Sequence, residues 1–110
     1  MRMWMVDPKI MCRQHLLGEH VELHMLIGTL KKGISVAGYL ADNLMEPESI
    51  ESRHSALVAE MEHRGYNHKS PLPHFPVDYK RPIDKEAALT ELLRRCPECR
   101  VKYYYSKLSK

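Results

Sequence analysis

The sequence predicts an all-α protein: one compact domain, residues 1–110, built from three main helices with an extended N-terminal segment and a proline-rich loop. Two observations carry that expectation. Apolar residues recur at 3.6-residue spacing in three separate stretches, and each stretch is bracketed by a capping residue and a stop. A chain of 110 residues can also bury one core but not two.

Taken in order, Met1 to Val6 reads as an extended segment with Trp4 buried. Asp7-Pro8 opens the first helix, since Asp caps and Pro is tolerated at the first position. That helix is expected to run from Pro8 to Lys32 and to stop at Gly33. Within it Leu16, Leu23, Ile27 and Leu30 fall on one stripe, the mark of a core-facing helix. His15, Glu19 and Glu22 follow i, i+4, i+7 and stack along one edge of the stripe. A carboxylate on such an edge can border a cleft and be partly desolvated, which suits it to proton transfer. The same spacing also describes a solvated acidic face.

Ile34 to Met45 is a connector without a predicted form. Glu46-Pro47-Glu48 starts the second helix with acid in its first turn, Ile50, His54, Leu57 and Met61 form its inward stripe, and Gly65 ends it. Arg53 and His54 either face a cleft or, for Arg53, solvent. Tyr66 to Pro82 contains Pro71, Pro73, Pro76 and Pro82, which excludes helix and central strand. It reads as a surface loop anchored by Leu72, Phe75 and Val77. Asp84 caps the third helix, whose stripe is Ala88, Leu89, Leu92, Leu93 and Cys96 and whose stop is Pro97.

Composition is that of a soluble globular protein, 44% hydrophobic and 28% charged. No run approaches the ~20 apolar residues of a membrane span, and no secretory pattern opens the chain, so a cytoplasmic protein is expected. Net charge is +3, but residues 69–110 carry 10 Lys/Arg against 5 Asp/Glu, whereas residues 1–68 carry 7 against 9. The basic tail RRCPECRVKYYYSKLSK interleaves Arg94, Arg95, Arg100, Lys102 and Lys107 with Tyr103, Tyr104 and Tyr105. Cations beside stacking aromatics are recurring equipment for nucleic-acid binding, although alternate tyrosines could equally pack on the core. Of three cysteines, Cys96 and Cys99 form a Cys-Pro-Glu-Cys pair. Structural zinc takes four ligands and no second CxxC exists, so the thiols read as reduced and no metal is expected. A metalloprotein using Cys96, Cys99 and the i, i+4 pair His20 and His24 is a rival reading.

Three blocks, in order, resemble the phage endonuclease V family of small helical pyrimidine-dimer DNA glycosylases that also cleave the abasic strand. The first runs from Gln14-His15-Leu16 through Glu19, Glu22 and Leu23 to Lys31-Lys32. The second runs from Arg53 to Arg64-Gly65-Tyr66-Asn67. The third is the end of the last helix with the basic, tyrosine-rich tail.

The resemblance implies a nucleophile that is the N-terminal α-amine, here Met1, assisted by the glutamate of the first helix, here Glu22. The ungapped match puts Met1 where the prototype's processed terminus lies, and Arg2 is bulky enough to keep that methionine in place. An α-amine ordinarily has a pKa near 8 against about 10.4 for lysine, so far more of it is neutral and nucleophilic at pH 7. The implied activity is excision of a damaged or modified base followed by abasic-site lyase chemistry, through an imine and β-elimination, without a cofactor. The expected partner is double-stranded DNA with a damaged, modified or abasic nucleotide, bound by a monomer. Arg2, Arg13, Gln14, His15, Arg53, Arg100, Lys102, Tyr103, Tyr104, Tyr105 and Lys107 are the candidate DNA contacts. This chain departs from the prototype's DNA-touching arginines at Val21 and Met25 and from its C-terminal tryptophan at Val101. Val21 and Met25 favour the alternative, a non-catalytic DNA-binding module on the same scaffold.

Overall fold

The computed structural model describes residues 1–68 and 70–108. It is all-helical, with no strand among the described residues. The helices are α1 (Arg13–Lys31), the short α2 (Ala37–Ala41), α3 (Ile50–His63), α4 (Lys85–Arg95) and α5 (Pro97–Leu108), with 3-10 turns at Pro8–Ile10 and Pro47–Ser49. α1 packs on α3 and α4 on α5, while the Pro8–Ile10 turn lies between α3 and α5.

The expected stops at Gly33 and Gly65 are present and share their geometry with Asn43, which ends α2. Gly33, Gly65 and Asn43 all have positive φ, at 71°, 83° and 61°. In each case the next residue's N–H reaches back to a carbonyl five positions earlier: Ile34 to Thr29, Tyr66 to Met61 and Leu44 to Tyr39. This Schellman closure satisfies carbonyls that the helix end would orphan. Asn43 manages the left-handed conformation without being glycine, and its side chain also accepts the Asp84 N–H at 2.8 Å.

The structure corrects the start of the first helix. Asp7 does cap, accepting the Lys9 N–H at 3.0 Å, but only a three-residue turn follows. Met11 is extended and α1 begins at Arg13, capped by the Cys12 sulfur. The break is possible because Arg64 bonds the Pro8 and Met11 carbonyls at 3.1 and 2.7 Å, replacing the helical partners. Pro97 does end α4, yet it is also the first residue of α5, a position where its missing N–H costs nothing. The tail is therefore helical as far as Leu108, and its last two residues, Ser109 and Lys110, lie outside the described ones.

The core is made by the predicted stripes together with the chain's beginning. Leu16, Leu23, Leu26 and Ile27 of α1 meet Ile50, Leu57 and Met61 of α3, and Met3, Trp4 and Val6 pack among them. Leu30, Leu72 and Phe75 are half-buried against this cluster. No helix among the described residues is long and apolar enough to cross a membrane.

Glu46, which is buried, fastens the far end of the proline-rich loop. Its carboxylate accepts the Ile83 N–H at 2.7 Å, faces the Lys85 ammonium at 3.3 Å and takes the Ser49 hydroxyl. Burial alone would raise its pKa, but the bonds from Ser49 and Ile83, with Lys85 beside them, hold it below the usual 4.5. A depressed carboxylate stabilises the fold above its unfolded pKa, and that contribution disappears as pH falls through the folded value. Urea unfolding midpoints should therefore drop as pH is lowered beneath about 4.5. The Glu46→Gln variant should be less stable at pH 7 and should lose less on acidification than the parent.

Candidate active site

The extended start of the chain is pinned inside the protein by its neighbours. The Met3 N–H donates to the Leu44 carbonyl at 2.7 Å, the Met3 side chain is fully buried, and Trp4 is 4% exposed. This anchoring brings the Met1 α-amine to 3.8 Å from a Glu22 carboxylate oxygen, an ion pair at the mouth of a hollow. The hollow has a volume of about 500 Å³, within the range of small-ligand sites. Met1, Arg2, Gln14, His15, Glu22 and Arg95 line it, with Trp4 and Glu19 behind them.

The electrostatics of the hollow are cationic. Arg2 stacks over Trp4, its guanidinium carbon 3.7 Å from the ring centroid, and Arg95 approaches the same ring at 5.7 Å. Burial, then the charge of Arg95, holds the Arg2 guanidinium below its usual range. The Arg2 Nε is buried without a hydrogen-bond partner. Arg2 and Arg95 share this hollow with Glu22, the Arg95 Nε being bonded to Glu91 at 2.8 Å, while Glu19 is neutralised from below.

That neutralisation is the work of Arg53. Its Nε and Nη2 bond both oxygens of Glu19 at 2.6 and 3.0 Å, and its Nη1 bonds the Val6 carbonyl at 2.6 Å. Arg53 is 6% exposed and Glu19 1%. The expectation that Arg53 touches DNA is therefore corrected: its donors are directed inward, where they join α3, α1 and the N-terminal segment. Periodicity had offered a cleft or solvent for this side chain and could not reveal a buried partner 34 residues away.

The other expected contacts divide. Met1, Arg2, Gln14, His15 and Glu22 do come together around the hollow. Arg13 lies outside it, exposed and 5.0 Å from the Tyr66 ring. The tail residues are elsewhere: Tyr103 and Lys107 line a separate, more apolar hollow beside Met5, Ile10 and Leu89. Arg100 bonds the Leu93 and Arg94 carbonyls at 2.9 and 3.2 Å, closing the end of α4. Lys102, Tyr104 and Tyr105 are on the outside of α5. Arg95 was not among the expected site residues; its place in the hollow follows from the turn at Cys96, which spacing along the sequence does not show.

Two clusters of metal-type donors adjoin these elements: Cys12, His15, Cys96 and Cys99, and the ring of His20, His54 and His68. In the second, burial first and the neighbouring imidazoles second push His20 down to about 4.

Compared with known proteins, a sequence model described as pyrimidine dimer DNA glycosylase matches residues 1–74. That span contains the α-amine, Glu22 and the Arg53–Glu19 pair, and leaves α4 and α5 outside. No curated protein and no solved structure matches the chain.

Removing one side of the Arg53–Glu19 pair should be costly, since a buried charge loses its partner. Arg53→Ala is expected to destabilise the fold by about 3–5 kcal/mol in urea titrations. The double variant Arg53→Met, Glu19→Gln should recover much of that loss, because no uncompensated charge is left.

Proposed function

The chain belongs to the pyrimidine dimer DNA glycosylase family, and on that premise we propose that it excises a damaged or modified base through its Met1 α-amine and then cleaves the abasic strand as a lyase. The observation that carries the reading is the 3.8 Å approach of that amine to Glu22 in a hollow of about 500 Å³.

The chemistry runs in four steps. The neutral amine attacks C1′ of the target nucleotide, a nitrogen–carbon bond forms, and the glycosidic bond breaks with its electron pair leaving on the base, which takes up a proton. The amine nitrogen sheds its proton to Glu22, the C1′–O4′ bond opens, and O4′ is protonated as the iminium forms. Loss of a C2′ proton then expels the 3′-phosphate, and water hydrolyses the imine to return the amine. Glu22 in its ionised form also stabilises the positive charge that develops on the sugar.

Recognition is electrostatic at the rim. The Arg2 and Arg95 guanidinium groups, at the edge of the hollow, supply donors for the phosphates flanking the reacting sugar. Gln14 and His15 border the same space and would position the sugar or the extruded base. Arg13, Lys102, Tyr104, Tyr105 and Lys107 extend a basic, aromatic surface along the DNA, which makes binding salt-dependent. The second reading, a DNA-binding module without turnover, draws on Val21 and Met25, apolar residues 54% and 53% exposed beside Glu22.

Borohydride reduction with abasic duplex DNA should trap a covalent adduct carried by the N-terminal peptide. Acetylating the terminal amine should abolish it. Glu22→Gln should slow single-turnover cleavage by about 10²–10⁴-fold while changing DNA affinity little. Salt-sensitive DNA binding with no adduct at any pH would establish the binding module instead.

A further inference from the structure

We propose that Cys12, His15, Cys96 and Cys99 form a structural zinc site that clamps the start of α1 to the start of α5. The pairing was hidden in the sequence because the partner of the Cys96-x2-Cys99 element is not a second CxxC but Cys12-x2-His15, which has the same spacing. In the structure the four donor atoms lie within 4.8 Å of one another. The Cys12 and Cys96 sulfurs are 3.7 Å apart, and the His15 Nδ1 is 3.2 Å from Cys12 and 3.8 Å from Cys99. A tetrahedral zinc with sulfur ligands near 2.3 Å and nitrogen near 2.0 Å sets its donors about 3.5–3.8 Å apart.

The surroundings suit thiolates held by a dication. Backbone N–H groups point at each sulfur: Cys12 N–H to Cys99 at 3.1 Å, Cys99 N–H to Cys96 at 3.3 Å and His15 N–H to Cys12 at 3.5 Å. Cys12 caps the N-terminus of α1, where the macrodipole favours negative charge, and Cys96 stands between the end of α4 and Pro97, the first residue of α5. All three cysteines are buried and none is in a disulfide. Four protein ligands leave no open position, so the site is structural rather than catalytic. His15 also lines the amine hollow, and the clamp would thereby fix one of its walls.

The full chain, purified from zinc-supplemented culture, should carry zinc that Cys99→Ser loses. Replacing zinc with cobalt(II) in the unmodified chain should give thiolate-to-cobalt charge-transfer bands and tetrahedral d–d bands. Chelation should expose three reactive thiols and lower Tm by at least about 10 °C. Absence of the charge-transfer bands, no rise in Tm when zinc is added to the reduced chain, or a mass showing a disulfide among these cysteines would overturn the proposal.

A separate observation carries a second site. His20 and His24, one turn apart on α1, converge with His54 of α3 and His68 beyond it, ring centroids 4.8–5.3 Å apart. The Nε2 atoms of all four are buried and without a hydrogen-bond partner among the described residues. Unsatisfied buried nitrogens are costly, and donor atoms of His20, His54 and His68 lie within 4.8 Å of one another. We infer that His20, His54 and His68, with His24 beside them, bind a divalent transition metal through nitrogen alone. Cobalt(II) titration should reach two equivalents, the second adding d–d intensity without sulfur charge transfer. His68→Ala, on a loop, should bring the total to one and leave the sulfur bands intact. A total of one equivalent that carries the sulfur charge-transfer bands, or an unchanged total in the variant, would overturn it.

Discussion

The fork of Arg53 into Glu19 is the constraint on which the other features depend. Ionised groups this deeply buried are tolerated only when geometry and additional hydrogen bonds replace the lost water. Here the replacement comes from three segments at once: both carboxylate oxygens on α1, the Val6 carbonyl at the chain's start and the Met11 sulfur at 3.4 Å. Shifting any of them would leave part of a guanidinium unsatisfied. The relative placement of α1, α3 and the first twelve residues is therefore specified by directional bonds as well as by apolar packing.

That specification bears directly on the N-terminal side of the hollow. Chain termini are ordinarily the least ordered part of a domain. In this protein Met3, Trp4 and Val6 are core residues, and the amine lies two residues from a buried anchor. Glu22 is three residues beyond Glu19 on α1, so the fork that holds Val6 also sets the register between the amine and its acid. Glu19 and Glu22 are chemically alike but differ in surroundings. One is buried with Arg53, the other is 30% exposed at a hollow with cations around it.

The core holds several polar groups beside its apolar ones. Glu19, His20, Glu46, Arg53 and His54 are all buried, alongside three thiols. Small domains bury a limited fraction of their surface and often add cross-links to apolar packing. The Arg53 fork, the Glu46 fastening of the loop and the two donor clusters each join segments far apart in sequence, which is the task such cross-links perform.

Much of the architecture was legible in the residues alone, because it follows from local rules. The 3.6-residue stripes predicted the buried faces of α1, α3 and α4, Asp84 was readable as a cap, and Gly33 and Gly65 stop their helices at the left-handed positions that glycine tolerates. Glu22 and Met1 could be named only through the family likeness of the first blocks. What tertiary structure alone decided was which polar groups face one another. Arg53 turned inward because Glu19 waits there, Pro8 to Lys32 broke at Met11 because Arg64 takes the freed carbonyls, and Cys12-x2-His15 met Cys96-x2-Cys99 because α1 and α5 begin at the same point. Periodicity along the chain encodes which face is apolar, whereas partners 34 to 87 residues apart are chosen by how the helices cross.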